Sequence, residues 1–123
     1  MSKAIGFVGL GVMGYPMAGH LSKKYKVSVF NRSSEKAENW ASEFSGNFCS
    51  SIKEVSEKSD ILILCVGNDL DVREIICKKD GALDNLKEGS IIIDHTTTSA
   101  DLCTELNKLL NSKKINFIDA PVS

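Results

Sequence analysis

Apolar and polar positions alternate along this chain of 123 residues in blocks that favour strands and helices in turn. Short runs of β-branched and other apolar residues are typical of strands, whereas apolar residues spaced three or four apart are typical of one helix face. The first pattern predicts six strands, at residues 4–8, 27–30, 47–49, 61–66, 91–93 and 115–118. The second predicts five helices between them, at residues 13–21, 36–44, 51–58, 70–78 and 100–110.

This order of elements predicts a fold class. Strands and helices that alternate along a chain form a parallel sheet with helices on both faces. The continuous apolar run from Ile61 to Val66 agrees, because a central parallel strand is buried on both faces. With right-handed crossovers we expect a doubly wound α/β fold whose six strands lie in the order 3-2-1-4-5-6. No internal repeat or linker interrupts residues 1–123, which we interpret as one domain.

Helical spacing also predicts which side chains face the sheet. Ser33 stands where an N-terminal helix cap is expected, the last helix is predicted to begin at Ser99 or Ala100, and residues 79–90, with Gly81 and Gly89, are predicted to be an irregular connection. The predicted inward faces are, in chain order, Met13, Met17 and Leu21; Ala37, Trp40, Ala41 and Phe44; Ile52 and Val55; and Leu102, Leu106, Leu109 and Leu110.

Three glycines with the spacing G-x-G-x-x-G follow the first strand, at Gly9, Gly11 and Gly14. Between a strand and a helix, this spacing is typical of a turn that binds a dinucleotide. Gly9 would permit the tight turn, Gly11 would let the backbone approach a pyrophosphate, and Gly14 would let the helix pack close to the strand. The free N–H groups of the helix N-terminus favour the phosphates. The alternative is a turn with a structural role alone.

The end of the second strand indicates which dinucleotide is bound. Domains that bind NAD usually carry Asp or Glu there, which accepts a hydrogen bond from the ribose 2′-hydroxyl. Here the position is Asn31, which does not repel a 2′-phosphate. Arg32 can pair with that phosphate or stack on adenine, Ser33 can donate a hydrogen bond, and Lys36 adds positive charge. These residues favour NADP over NAD; the alternative is an ordinary helix start with an exposed arginine.

Polar residues also follow the fourth and fifth strands, whose carboxyl ends should line the same crevice. Gly67 would let the cofactor approach the backbone, and Thr96 and Thr97 would offer hydroxyl groups on the nicotinamide side. Either threonine could instead cap the following helix. His95 is more simply interpreted as a loop residue than as a catalytic base.

Composition excludes several classes of function. The formal net charge is −1 and the basic residues are scattered, so we expect no nucleic-acid partner. The longest apolar run has six residues, so we expect no membrane span, and the first residues do not resemble a signal peptide. The four cysteines are widely spaced, which favours reduced thiols rather than a zinc site. These features together favour a cytoplasmic protein.

Three segments in the expected order, spanning the whole chain, resemble the β-hydroxyacid dehydrogenases, also called the 3-hydroxyisobutyrate dehydrogenase family. They are GFVGLGVMGYPMAGHL, DHTTTS and DAPVS, in which only Thr96 departs mildly from the family's usual serine. The resemblance implies a pyrophosphate site at Gly9, Leu10, Gly11, Val12, Met13 and Gly14; a 2′-phosphate site at Asn31, Arg32 and Ser33; cofactor contacts at Val66, Gly67 and Thr97; and a substrate contact at Ser123.

The N-R-S segment is similar to that of the NADPH-using members of the family, the glyoxylate, succinic semialdehyde and tartronate semialdehyde reductases. Members that use NAD usually have Asp in place of Asn31. The resemblance therefore implies an NADP-dependent oxidoreductase whose substrate is a short β-hydroxyacid or semialdehyde. An NAD-using 3-hydroxyisobutyrate dehydrogenase remains the alternative within the family.

The family's catalytic lysine, in a G-x-x-G-x-x-x-K segment, and its all-helical second domain would follow Ser123. We therefore expect this chain to be the cofactor domain alone, with no catalytic residue of its own, able to bind cofactor but not to turn over substrate. Apolar surface left by an absent partner domain would favour a homo-oligomer. A nonenzymatic module that binds a dinucleotide or a partner is the alternative from another class.

Overall fold

The computed structural model describes residues 3–121, which form six strands and six helices that alternate, except that two helices lie between the fourth and fifth strands. The strands are β1 (Ala4–Val8), β2 (Lys26–Phe30), β3 (Asn47–Phe48), β4 (Ile61–Leu64), β5 (Ile91–Asp94) and β6 (Asn116–Asp119). The helices are α1 (Gly14–Ser22), α2 (Ser34–Phe44), α3 (Ile52–Glu57), α4 (Asp69–Cys77), α5 (Ala82–Asn85) and α6 (Ala100–Asn111). No helix in this range is long and apolar enough to cross a bilayer.

The strands form one parallel sheet in the order β3-β2-β1-β4-β5-β6, which confirms the predicted topology. The chain builds outward from β1 to β3, returns to pair β4 with β1, and then builds outward in the other direction. The strand order therefore reverses between β1 and β4, and ligands of such sheets bind beyond the carboxyl ends of the strands at that point.

Apolar residues of the strands alternate between two cores, one on each face of the sheet. Phe7 and Ile63 face α1 and α2, where Trp40 is fully buried. Leu62 and Leu64 face the other side, where α3, α4, α5 and α6 pack. The prediction of helices on both faces of the sheet is therefore confirmed. Because the strands are parallel and paired, the loops that follow them lie at the same edge of the sheet.

Helix α1 differs from its predicted inward face. Its buried residues are Gly14, Ala18 and Gly19, whereas Met13 is about half exposed and Met17 is only partly buried. Small residues are required where α1 lies nearest to its neighbours, because a Cβ on Gly14 or Gly19 would meet the Gly9 carbonyl oxygen or the Phe44 ring. Met17 and Leu21 do pack against the core, as predicted, whereas Met13 precedes the helix and is exposed. Apolar periodicity therefore located the inward face but missed its small residues.

Three further expectations were wrong in detail. Strand β4 ends at Leu64 rather than Val66, residues 82–85 form a short helix within the predicted connection, and Leu109 is exposed. Ala82, the first residue of α5, is buried in the core. Tertiary burial therefore stabilises a helix that is too short to show apolar periodicity. Ser99, where the helix was predicted to begin, is the N-cap of α6, because its hydroxyl accepts from the Leu102 N–H at 3.3 Å.

Candidate functional site

A cleft of about 700 Å³ opens where β1, β2, β4 and β5 end. Its volume is within the range of small-molecule and cofactor sites. Most of the residues predicted from the sequence to bind a dinucleotide line it, although they come from four separate stretches of the chain. They are Gly9, Leu10, Gly11, Val12, Met13, Gly14, Asn31, Arg32, Val66, Gly67 and Thr97. Ser33 and Lys36 are exposed but do not line the cleft, and Ser123 lies outside the described residues.

Two glycines of the turn are required by the fold itself. Gly9 has a φ of +103°, and a Cβ there would lie 2.1 Å from the carbonyl oxygen of Cys65. A Cβ on Gly14 would lie 2.0 Å from the carbonyl oxygen of Gly9. Both atoms belong to backbone, which cannot rotate away as a side chain can. The close approach of the turn to the end of β4 therefore depends on Gly9, and that of α1 to the turn depends on Gly14.

Gly11 is different, because a Cβ there would meet no atom within 4 Å. The fold therefore does not explain this glycine, and the open space belongs to the cleft. Within residues 3–121, the N–H groups of Gly11 and Val12 donate to no backbone or side-chain acceptor. Free N–H groups before a helix, next to an open space, fit the pyrophosphate of a dinucleotide.

Asn31 connects the end of β2 to the glycine turn. Its Oδ1 accepts from the Leu10 N–H at 2.8 Å, and its Nδ2 donates to the Ser33 carbonyl at 3.2 Å. The side chain thus holds both loops at the cleft while remaining uncharged. Sequence reasoning recognised that Asn31 lacks a negative charge but missed this bridging role.

Ser33 occupies the N-cap position of α2 with an extended backbone, as expected, but its side chain makes no capping hydrogen bond. That part of the prediction was wrong, and the exposed Ser33 hydroxyl does not satisfy the α2 N-terminus. Lys36 lies in the first turn of the same helix and is exposed. Both residues flank the Arg32 side of the cleft without contributing to its walls.

The β4 and β5 loops are held together by hydrogen bonds. The Val66 N–H donates to Thr96 Oγ1 at 3.1 Å, so this threonine supports the β4 loop rather than capping α6. The fully buried Asp94 accepts from the Thr96 N–H at 2.9 Å and from Thr98 Oγ1 at 2.5 Å. Thr97, between them, is exposed and lines the cleft. Asp94 is thus a positioning residue that the sequence alone did not reveal.

His95 also has a structural contact. Its Nδ1 lies 2.6 Å from the carbonyl oxygen of Ala120, to which the protonated nitrogen donates. This hydrogen bond joins the end of β5 to the segment after β6. The Cys65 thiol nearby lines the cleft, and burial, with a smaller effect of the Asp94 carboxylate, raises its pKa. A protonated Cys65 thiol at neutral pH is a poor nucleophile.

Charged and apolar residues of α4 form a wall of the cleft that sequence reasoning missed. Asp71, Glu74, Ile75 and Lys78 line this wall. Their spacing, which places them on one helix face after β4, was the available signal. Across residues 3–121, no group of three His, Cys, Asp or Glu side chains could hold a metal ion.

Asp69 fastens α4 to α6, since its Oδ1 accepts from the Ser99 N–H at 2.9 Å. Hydrogen bonds from the Ser99 side chain and backbone lower the pKa of this carboxyl. Asp60, at the opposite edge of the sheet, has its pKa lowered by Lys87 and then by the Ala4 N–H. Both ionised carboxylates therefore stabilise the folded state.

These two pKa shifts predict loss of stability in acid. A carboxyl whose folded pKa is lowered stabilises above its unfolded pKa, and the effect disappears as pH falls below about 4. We expect Asp69→Asn and Asp60→Asn each to lower the midpoint of urea unfolding near neutral pH and to reduce its decline in acid. Glu38→Gln, at an exposed position on α2, is the control. If the urea midpoint of either Asn variant fell in acid as steeply as that of the parent chain, the stabilising role of that carboxylate would be contradicted.

Comparison with known proteins identifies what this arrangement resembles. Residues 4–123 match the family described as the NAD binding domain of 6-phosphogluconate dehydrogenase. A relative from Arabidopsis thaliana, named as a probable mitochondrial 3-hydroxyisobutyrate dehydrogenase-like 1, is 41% identical over 121 residues, which are 97% of this chain and 36% of that protein.

Solved structures give the same result. The 3-hydroxyisobutyrate dehydrogenase of Mycobacterium tuberculosis with L-serine superposes with a TM-score of 0.86 at 29% identity, covering 100% of this chain and 41% of that one. Psf3 in complex with NADP+ and 2-OPP superposes with a TM-score of 0.89 at 26% identity, covering 97% of this chain and 42% of that one. This chain spans about two fifths of the length of the relatives it matches.

Proposed function

This chain belongs to the family of the NAD-binding domain of 6-phosphogluconate dehydrogenase, and from that membership we propose that it binds NADP in an oxidoreductase acting on short β-hydroxyacids or semialdehydes. A dinucleotide-binding domain of an oxidoreductase follows from the family alone. The choice of NADP and the class of substrate are the further steps.

The observation that carries the choice of NADP is the end of β2. Arg32 lines the cleft there, and the neighbouring Asn31 has no charge that would repel a 2′-phosphate. Ser33 and Lys36 follow Arg32 at the start of α2, and both are exposed. An arginine beside an uncharged residue favours a phosphate, whereas NAD-binding domains use a carboxylate at that place. The NADP+ bound to Psf3 adds support from a structural relative.

The remaining residues have separate tasks in this proposal. The free N–H groups of Gly11 and Val12 bind the pyrophosphate at the N-terminus of α1. Val66, Gly67 and Thr97, at the ends of β4 and β5, contact the nicotinamide half. Asp94 and Thr96 keep those two loops in place through the hydrogen bonds described above.

The bound dinucleotide would supply hydride to a carbonyl carbon, or accept it from a hydroxyacid in the reverse direction. Ser123 would bind the substrate's carboxylate or hydroxyl group. No proton donor for the substrate oxygen is proposed among residues 3–121. We propose that a lysine of the whole protein performs that task, as the resemblance to 3-hydroxyisobutyrate dehydrogenases implies. Loss of NADPH absorbance with glyoxylate or succinic semialdehyde, measured on a whole protein that carries this domain, tests the reaction. No turnover with any short semialdehyde would favour a nonenzymatic module.

Removing the Arg32 guanidinium should weaken NADPH binding selectively. We expect Arg32→Ala to raise the NADPH dissociation constant about 10- to 100-fold, because one charge-assisted contact to the 2′-phosphate is lost. The NADH dissociation constant should change less than about 3-fold, since NADH has no 2′-phosphate. Isothermal titration calorimetry on this chain measures both constants.

Arg73→Ala is the matched control for that experiment. Arg73 is a second arginine with a carboxylate partner, but it lies on α4 and pairs with Glu105 instead of lining the cleft. Its replacement should leave both dissociation constants unchanged. Equal affinity of the parent chain for NADPH and NADH, together with no effect of Arg32→Ala, would refute the choice of NADP.

A further inference from the structure

Arg32 is already paired in the structure. Its Nη2 lies 3.2 Å from Oδ1 of Asp71, in the first turn of α4 and 39 residues away along the chain. A Cβ on Gly67 would lie 3.0 Å from the other carboxylate oxygen of Asp71. The Asp71 carboxylate therefore stands between the end of β2 and the end of β4, at two positions assigned to the dinucleotide.

The two partners differ in how firmly they are held. The Arg32 side chain is 84% exposed, whereas that of Asp71 is 24% exposed. The Asp71 backbone N–H donates to the Asn68 side chain at 3.1 Å, which caps α4 and fixes this first turn. Arg32 is thus the partner that is free to move. A ligand that binds the guanidinium therefore meets an anchored carboxylate that already holds one of its N–H groups.

The other charged residues of the cleft wall do not offset the negative charge of Asp71. Lys78 and Glu74 also line the cleft, and their Nζ and Oε1 atoms are 3.7 Å apart. Four charged side chains line the cleft as two opposite pairs, and the wall is close to neutral. A 2′-phosphate therefore meets a carboxylate as well as a guanidinium.

We propose that Asp71 is a specificity-determining residue, which competes with the 2′-phosphate for Arg32 and so reduces the preference for NADPH over NADH. This proposal rests on the assignment of the cleft to a dinucleotide. The preference for NADPH over NADH then depends on the Arg32–Asp71 pair rather than on the residues after β2 alone. NADH, which lacks the 2′-phosphate, leaves the pair intact.

Asp71→Asn is the direct test, because it removes the negative charge and keeps the size and the backbone hydrogen bond to Asn68. We expect the NADPH dissociation constant of this chain to fall about 2- to 5-fold, since the Asp71 carboxylate no longer competes for the guanidinium. The NADH dissociation constant should stay within about 2-fold of the parent value. Both are measured by calorimetry, with thermal unfolding as a check on folding.

Two further variants separate the mechanism from a general charge effect. Glu74→Gln removes one negative charge from the same helix and the same cleft wall, but Glu74 pairs with Lys78 and not with Arg32. It should improve NADPH binding less than about 2-fold. In an Arg32→Ala background, Asp71→Asn should likewise lose most of its effect, because the competition it relieves no longer exists.

The proposal is overturned if Asp71→Asn leaves the NADPH dissociation constant unchanged, or if Glu74→Gln improves binding equally. It is also overturned if Asp71→Asn improves NADPH binding as much in the Arg32→Ala background as in the parent chain. These results are distinct from failure of the proposed function, in which Arg32→Ala has no effect and the parent chain does not discriminate the cofactors. A parent chain that binds NADH as well as NADPH, but gains NADPH preference on Asp71→Asn, would support the role of Asp71.

Discussion

Replacing Gly11 with valine abolishes dinucleotide binding while the free energy of unfolding stays within about 0.5 kcal/mol of the parent value. Both halves of this expected result follow from the same observation. A Cβ on Gly11 meets no protein atom within 4 Å, so the folded chain accommodates a side chain without a clash. The residue also has no positive φ, so an L-residue can adopt its backbone conformation.

The loss of binding arises because the open space beside Gly11 is where the pyrophosphate would approach the backbone. A valine side chain there separates the phosphates from the free N–H groups of the turn. Several charge-assisted hydrogen bonds are lost together, so we expect the dissociation constants of NADPH and NADH both to rise at least about 100-fold. Arg32→Ala affects NADPH alone, and the two variants therefore report different parts of the site.

Calorimetry and urea unfolding on the same preparation measure the two halves of this prediction. Gly11→Ala, with a smaller side chain, should give an intermediate loss of affinity at unchanged stability. Binding of NADPH by the valine variant within about 3-fold of the parent affinity would show that the phosphates do not lie at this turn. A large loss of stability would instead show that Gly11 is needed by the fold.

The second large effect concerns Gly14, three residues further along. We expect Gly14→Ala to destabilise the folded chain by about 2–4 kcal/mol. Its Cβ would lie 2.0 Å from the Gly9 carbonyl oxygen and 3.2 Å from the Phe7 ring. Gly9 cannot withdraw easily, because its N–H donates to the Phe30 carbonyl at 3.1 Å and its own Cα lies against Cys65. Helix α1 must therefore move away from the sheet.

Gly19→Ala is the matched control, since Gly19 is a buried glycine of the same helix. Its Cβ would lie 2.5 Å from the ring of Phe44, which is only partly buried and can turn aside. Alanine also has the higher helix propensity, by about 1 kcal/mol, which offsets part of the clash. We expect a smaller loss than for Gly14→Ala in urea unfolding. A Gly14→Ala chain as stable as its parent would mean that α1 does not pack this closely.

Much of the fold could be predicted from local patterns. The apolar runs located all six strands, and their alternation with helical spacing correctly predicted the strand order. The glycine turn and the motifs at Asp94 and Asp119 identified the family correctly. Errors appeared where burial was decided by neighbours. The exposure of Met13 and of Leu109 depends on what packs beside each helix, which periodicity does not record.

In the candidate site, too, local features were predicted from the sequence and contacts between distant residues were not. Gly9, Gly11 and Gly14 were recognised because their spacing is local, and Arg32 because it directly follows a predicted strand. The sequence could not show that only Gly9 and Gly14 are required by close backbone contacts. That difference depends on how near α1 lies to the turn and to β4.

Local patterns in the sequence are enough to predict the six strands, their order in the sheet and the family, because strand and helix periodicity and turn chemistry depend on neighbouring residues. Which side chains meet across the cleft depends on the folded arrangement. Asp71 contacts Arg32 over 39 residues, and the Thr96 hydroxyl supports Val66 over 30. Such contacts depend on where separate strands end and how their helices pack, so no local pattern predicts them. The competition for Arg32 is visible only once the sheet has brought β2 and α4 to one edge.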